Sequence, residues 1–282
     1  MTAKFGSNRF NRCIVINSLV YFVIAYYLVV FSFNIFSCFL TSWLGFDVEL
    51  YYYGFTHSGK KWTTDYILLV FFVGNAFTLV TAVLFEYLYR KQRKYFKGVK
   101  LLYLWIYLIS LIWFLGNIIV GAFFNFGIGA ALRAYGIPFF LRLILAIIAV
   151  AALLFFGYKA QKHVCVSANL YLPKLSGTNV TSFFINQMVL PILLGLVVII
   201  LLKIPHLGMY YYVDIYLLLS FVFFIAGLFY QHKSLNSIRF KTHSDDKKQL
   251  KTKNCELSYF PMVVMVIILA LVRLGLMNGI SF

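Results

Sequence analysis

Two short, similar segments place an asparagine directly after a glycine inside long apolar runs. They read FFVGN over residues 71–75 and WFLGN over residues 113–117. A polar side chain is costly in hydrocarbon, so Asn75 and Asn117 each need a hydrogen-bonding partner or a function. Glycine lets two helices approach, and a carboxamide then bonds across the contact, contributing about 0.6 kcal/mol. The alternative is a substrate-binding lining, to which Asn125 would also belong. The packing interpretation extends to Asn17, Asn34, Asn186 and Gln187.

A second group of candidate residues combines imidazoles with carboxylates, the ligand types that bind transition metals. It contains His57, Asp65, His206 and Asp214, with Asp47 and Glu49 nearby in the chain. The residues come from separate segments and show no diagnostic ligand spacing. Two hypotheses therefore stand: a metal or catalytic site, or ordinary solvated loop residues. The sequence implies no resident cofactor.

Two further short patterns lie beside apolar runs. Glu86 and Arg90 form an E-x-x-x-R spacing, and His232 and Asn236 form an H-x-x-x-N spacing. Together they resemble fragments of the intramembrane CAAX-type protease pattern, and the resemblance implies a glutamate and histidines that activate water. The sequence departs from that pattern at Phe85, where the family has a second glutamate, and at Leu228, where it has a phenylalanine. The alternative is an i,i+4 Glu–Arg pair at a helix end, which stabilises a helix by a few tenths of a kcal/mol.

The composition places the chain in a membrane. It is 62% hydrophobic and only 12% charged, whereas about a quarter of the residues in soluble domains are charged. The net charge of +17 would suggest nucleic acid in a soluble protein. Here the charge lies in loops beside apolar runs, so we expect contact with anionic lipid at the cytoplasmic face and no nucleic acid. The four cysteines are scattered and imply no disulfide framework.

The apolar runs predict one all-α domain, a transmembrane helical bundle of about seven spans. A helix needs about 20 residues to cross the hydrocarbon. The segments that precede spans 1, 3, 5 and 7 hold 19 of the 25 Lys and Arg residues. Basic residues accumulate in cytoplasmic loops, so we expect a cytoplasmic N-terminus, an external C-terminus and a location in the cell (inner) membrane. The first span would serve as an uncleaved signal anchor, and residues 232–258 would form a flexible basic cytoplasmic loop. The predicted spans are residues 13–35, 66–88, 101–123, 138–158, 183–203, 213–231 and 259–278.

Spans 1 and 3 are longer than one crossing requires. The uncharged runs Cys13–Phe46 and Leu101–Leu132 contain 34 and 32 residues. Either these helices tilt strongly, or their outer ends form interfacial or re-entrant pieces. Glycines at 121, 127 and 129 favour a broken helix in the second run.

Three functions are compatible with these observations. The first is a non-catalytic membrane component, such as a subunit of a larger assembly with a membrane-protein partner. The second is a small-molecule carrier or permease that uses the Gly- and Asn-rich outer halves of spans 2 and 3. The third is an intramembrane metal-dependent hydrolase, built on the outer His and Asp residues or on Glu86 with His232. We rank them in this order because the sequence carries no complete catalytic motif.

Overall fold

The protein is predominantly helical, as the sequence predicts. The computed structural model describes residues 8–59, 61–93, 98–124, 127–172, 174–205, 209–230, 238–239 and 257–282. A π-helical turn at Ile185–Val189 joins two helices into one continuous segment. A helix overlaps each of the seven predicted spans. The helices are α1 (Asn8–Trp43), α2 (Thr64–Gln92), α3 (Val99–Phe123), α4 (Ile128–Ala134), α5 (Phe139–Ser167), α6 (Gly177–Phe184), α7 (Leu190–Lys203), α8 (Met209–Phe229) and α9 (Tyr259–Gly275).

Five helical segments in the described part of the chain are long and apolar enough to cross a membrane. They are Arg9–Trp43, Thr64–Gln92, Val99–Phe123, Phe139–Leu170 and Asn179–Lys203. The described apolar stretch of α8, Leu219–Phe229, and the whole of α9 are shorter. These helices mark the protein as membrane-embedded. Crossing by α8 and α9 stays a prediction.

The two overlong apolar runs have different structures. The first forms one continuous helix, α1, whose 36 residues extend about 54 Å at 1.5 Å per residue. The second is broken, because α3 ends at Phe123 and α4 begins at Ile128. Gly127 between them has a positive φ of 54°. The backbones of Gly121 and Gly129 touch, so a side chain at either position would collide with the other. The predicted break at the glycines is confirmed.

A small antiparallel sheet follows α1. Strand β1 (Asp47–Tyr51) pairs with β2 (Gly54–Ser58) in a hairpin. Burial alternates along β1, the period of a strand with one packed face. Strand β5 (Ile280–Ser281) pairs with the free edge of β1, and the backbone N of Phe282 donates to the carbonyl oxygen of Val48 at 2.9 Å. The C-terminal residues therefore lie beside the segment that follows α1. We call the end of the bundle that carries this sheet the hairpin end. The sequence did not predict these strands.

The opposite end gathers the start of α9 and the ends of α2 and α5. The backbone N of Ser258, just before α9, donates to the side-chain oxygen of Asn17 in α1 at 2.9 Å. Asn169, just after α5, donates to the carbonyl oxygen of Arg93 at the end of α2 at 3.3 Å. Strand β3 (Lys174–Leu175) pairs here with β4 (Ile238–Arg239). The predicted flexible loop 232–258 lies outside the described residues except for 238–239 and 257–258.

Helices α1 and α3 form the centre of the bundle. The most apolar windows of these two helices are 78% buried, whereas those of α2 and α5 are 28% and 22% buried. Trp105, Leu104 and Leu108 on α3 are completely buried. The outer faces of α2 and α5 instead carry exposed large apolar side chains such as Val83 and Ile147. In a membrane protein these faces contact lipid, so their exposure is compatible with the fold.

The cysteines differ from the sequence-based expectation. Cys38 and Cys165 are free and buried, whereas Cys13 is disulfide-bonded. The expectation that the cysteines form no disulfide is therefore corrected. Spacing along the chain carries no information about which distant thiols a fold brings together.

Candidate functional site

Asn75 makes a contact between helices, but not the one that the repeated segment suggests. Its side-chain nitrogen donates to the backbone oxygen of Phe114 on α3 at 3.4 Å. Its side-chain oxygen is buried without a partner among the described residues. Gly74 faces α1 instead, where a Cβ would lie 2.9 Å from the hydroxyl of Ser37. The glycine and the asparagine therefore pack against different helices.

Asn117 bonds within its own helix. Its side-chain nitrogen donates to the carbonyl oxygen of Trp113 at 2.8 Å, and its side-chain oxygen lies beside Gly127 in the break between α3 and α4. Asn125 lies outside the described residues. Asn75 and Asn117 are both at least 95% buried. Binding of a substrate by this set stays a prediction.

The carboxylate of Glu86 lies in a charged cluster near the opposite end. Its Oε1 is 2.5 Å from Nη2 of Arg90 and 3.7 Å from Nε2 of His163 on α5. The backbone oxygen of His163 accepts a hydrogen bond of 2.6 Å from the hydroxyl of Tyr89. Edge-on ring contacts with Tyr89 and Tyr107 hold the imidazole in place. A carboxylate beside an imidazole has the composition of a general-base pair, but this carboxylate is already bonded to the guanidinium of Arg90.

His163 is the residue that the sequence interpretation missed. The sequence pattern pairs Glu86 with His232 and Asn236, and both of these lie outside the described residues. A matched-depth argument would have found His163, because it lies four residues before the end of α5 and Glu86 lies six before the end of α2. Both helices end at the same side of the bundle, so the two side chains have similar depths.

The two candidate metal ligands that the structure describes, His57 and Asp65, already accept hydrogen bonds from neighbouring side chains. The Nδ1 atom of His57 accepts a hydrogen bond of 3.1 Å from the indole N–H of Trp62, and partial burial lowers the pKa of His57. The carboxylate of Asp65 accepts a hydrogen bond of 3.1 Å from the hydroxyl of Tyr135, and this bond raises the pKa of Tyr135.

The other two outer candidates are not described. His206 and the side chain of Asp214 lie outside the described part of the chain. Among the described residues, no three His, Cys, Asp or Glu side chains form a group that could hold a metal ion. Metal binding by the full set stays a prediction.

The π-helical turn contains a fully buried polar side chain. The backbone carbonyl oxygen of Gln187 accepts a hydrogen bond of 2.6 Å from the hydroxyl of Ser18 on α1. The same hydroxyl accepts a hydrogen bond of 3.0 Å from the indole N–H of Trp105. Neither polar atom of the Gln187 side chain has a partner among the described residues. The sequence interpretation expected this carboxamide to bond between helices. The interhelical bond is made by the backbone that the π-turn exposes.

The chain matches no known family model, no curated protein and no solved structure. The described sites are therefore interpreted from their geometry. Three of the candidate side chains, His57, Asp65 and Glu86, are bonded to a neighbouring side chain. Asn75 connects two helices, and Asn117 bonds to its own.

Proposed function

We propose that this protein is a multi-pass component of the cell (inner) membrane that crosses seven times, with a cytoplasmic N-terminus and an external C-terminus. The alternating positions of the helix ends support this proposal. The end of α1, the start of α2 and the end of α9 meet at the hairpin end, where β1 pairs with β5. The hydrogen bond between Tyr135 and Asp65 brings the start of α5 to the same end. At the opposite end, Gln161 of α5 donates to the carbonyl oxygens of Gly227 and Tyr230 at the end of α8.

The charge distribution supports the orientation. The sequence segments that the proposal assigns to the opposite end contain 19 of the 25 Lys and Arg residues. Lys and Arg in short loops stay on the cytoplasmic side. This end therefore faces the cytoplasm and its anionic lipid. The hairpin end faces outward.

Within this membrane, we propose a non-catalytic role in a larger assembly. The observation that carries this proposal is the Glu86 carboxylate, which is bonded to Arg90 at 2.5 Å. This pair has the i,i+4 geometry that stabilises a helix end. The contact of His57 with Trp62 joins two nearby residues of the hairpin segment, and the contact of Asp65 with Tyr135 joins the start of α2 to the residue after α4. The chain then acts through the surfaces that it presents to a membrane-protein partner.

Native mass spectrometry of the tagged protein, extracted gently from its own membrane, tests the proposed role. We expect a second, different polypeptide at fixed stoichiometry. The Glu86→Gln variant is a matched control, because a structural carboxylate is not required for the complex to form. A lone monomer or homo-oligomer that retains a metal ion, lost in Glu86→Gln, would contradict the proposal and support the hydrolase alternative. Substrate uptake that Asn117→Leu abolishes without reducing expression would instead support the carrier.

A further inference from the structure

Helix α5 begins at the hairpin end without a side-chain cap. Its N-cap residue is Pro138, which forms no side-chain cap hydrogen bond, and the first turn contains no acidic residue. The first N–H groups of a helix have no acceptor inside the helix. In the described part of the chain, the backbone N–H groups of Phe139, Phe140 and Leu141 have no acceptor outside it either. This terminus therefore presents three free donors and the positive end of the helix dipole.

The guanidinium of Arg142 points back toward the same turn. Its central carbon lies 5.6 Å from the centre of the Phe139 ring, one turn earlier in the helix, which is the direction that helical side chains take. Arg142 is only 9% exposed. Its Nε and Nη1 atoms are shielded from solvent and have no acceptor among the described residues, whereas Nη2 is not shielded in this way. A shielded N–H of a charged group without an acceptor is costly, so an anion beside the guanidinium would stabilise it.

The surroundings of this turn leave space for a ligand. Phe139 and Phe140 are 51% and 68% exposed. A Cβ added to Gly136, just before the helix, would have no atom within 4 Å beyond its chain neighbours. No carboxylate of the described residues accepts from Arg142, and Asp65 at the same end is bonded to a tyrosine hydroxyl instead. An anion from outside the chain can therefore reach the open helix terminus.

We propose that the start of α5, together with Arg142, binds a phosphate group. Helix N-termini bind phosphate through their backbone N–H groups and dipole, and a guanidinium adds charge-assisted hydrogen bonds. Phe140, Ile144 and Ile148 follow one another along one face of α5 and are 68%, 37% and 59% exposed. This apolar face fits the acyl chains of a phospholipid whose phosphate lies at the helix terminus. A soluble phosphate compound carries the same chemistry without the chains.

Ligand-dependent thermal stability of the purified, delipidated protein tests the proposal. The probes are phosphatidylglycerol in mixed micelles, a neutral diacylglycerol in the same micelles, and inorganic phosphate. We expect phosphatidylglycerol to raise the melting temperature, because it binds the folded state, and diacylglycerol to leave it unchanged. Arg142→Gln should weaken phosphatidylglycerol binding about 10- to 100-fold, the range for loss of one charge-assisted hydrogen bond. Stabilisation by inorganic phosphate, reduced in the same variant, would identify the soluble source and would still support the site.

Two further variants separate the site from general electrostatics and from misfolding. Lys61→Gln is the matched control, because it removes one positive charge from an exposed loop position at the hairpin end, and it should bind like the unchanged protein. Arg142→Lys keeps the charge but removes the fork, and should retain partial binding. If Arg142→Gln does not fold, weaker binding by Arg142→Lys than by the unchanged protein takes its place as the test.

Three results would overturn the proposal: an equal loss of binding in Lys61→Gln, unchanged binding in the Arg142 variants, or no binding by the unchanged protein. Because none of the probes requires a protein partner, these outcomes are independent of the proposed assembly.

Discussion

The contact between α5 and α8 depends on two glycines, and replacing either should destabilise the bundle. A Cβ added to Gly157 would collide with the carbonyl oxygen of Phe224, and one added to Gly227 would collide with that of Leu154. A Cβ on Gly157 would also lie 3.0 Å from the backbone nitrogen of Leu228. These opposing atoms belong to the backbone, so they have no rotamer to relieve the overlap. The helices must separate.

The expected cost follows from this geometry. Overpacking a well-packed contact costs about 1–3 kcal/mol. Gly157→Ala and Gly227→Ala should each reduce the folded-to-unfolded ratio about 5- to 150-fold, since 1.4 kcal/mol is a factor of ten. Both glycines belong to the same contact. Once one substitution has separated the helices, the second costs less, so the double variant should lose less than the sum of the two.

Unfolding in mixed micelles with increasing dodecyl sulfate, followed by circular dichroism, measures this loss. Gly275→Ala is the matched control, because a Cβ there has no atom within 4 Å outside its immediate neighbours. It should unfold like the unchanged protein. Unchanged stability of Gly157→Ala and Gly227→Ala would refute the close helix contact. An equal loss in Gly275→Ala would show that the effect is not specific to that contact.

Three further predictions concern single residues. Folding lowers the pKa of His57, and the neutral ring accepts a hydrogen bond at Nδ1 from Trp62. Neutral His57 therefore stabilises the hairpin above the unfolded-state pKa of about 6.5. This stabilisation should disappear as the pH falls through the lower pKa of the folded state. Trp62 fluorescence should report the change, and a response that persists in His57→Gln would contradict this assignment. Cys13 is disulfide-bonded in the structure, whereas thiols in the cytoplasm stay reduced. The proposed cytoplasmic position of the opposite end therefore predicts a reduced Cys13 in cells, and a disulfide that survives acid quenching and a non-reducing gel would contradict that placement. Asn75→Leu should cost at most about 2 kcal/mol, because it removes one interhelical hydrogen bond to Phe114; a larger loss in the same unfolding assay would assign Asn75 a further partner.

The sequence predicts helices because their requirements are local. A run of about 20 apolar residues is sufficient to indicate a span, and a helix overlaps each predicted one. The glycines between 121 and 129 predict the break because close backbone contact requires residues without a side chain. These features need no knowledge of distant contacts.

These local patterns do not predict contacts between distant segments. β5 has only two residues, and it becomes a strand because the edge of β1 lies beside it. The approach of His163 to Glu86 depends on which faces of α2 and α5 meet, which an apolar periodicity common to both helices does not specify.

The most direct test of the proposed seven-crossing arrangement is the location of the C-terminus after Phe282. Alkaline phosphatase requires disulfides and becomes active outside the cytoplasm, whereas green fluorescent protein fused to the same residue fluoresces inside. We expect an active phosphatase and a dark fluorescent fusion at Phe282. Fusions after Gln92, at the opposite end, should behave in the reverse way. A fluorescent fusion at Phe282 would place residue 282 in the cytoplasm and would contradict the proposed arrangement, which has a cytoplasmic N-terminus and seven crossings.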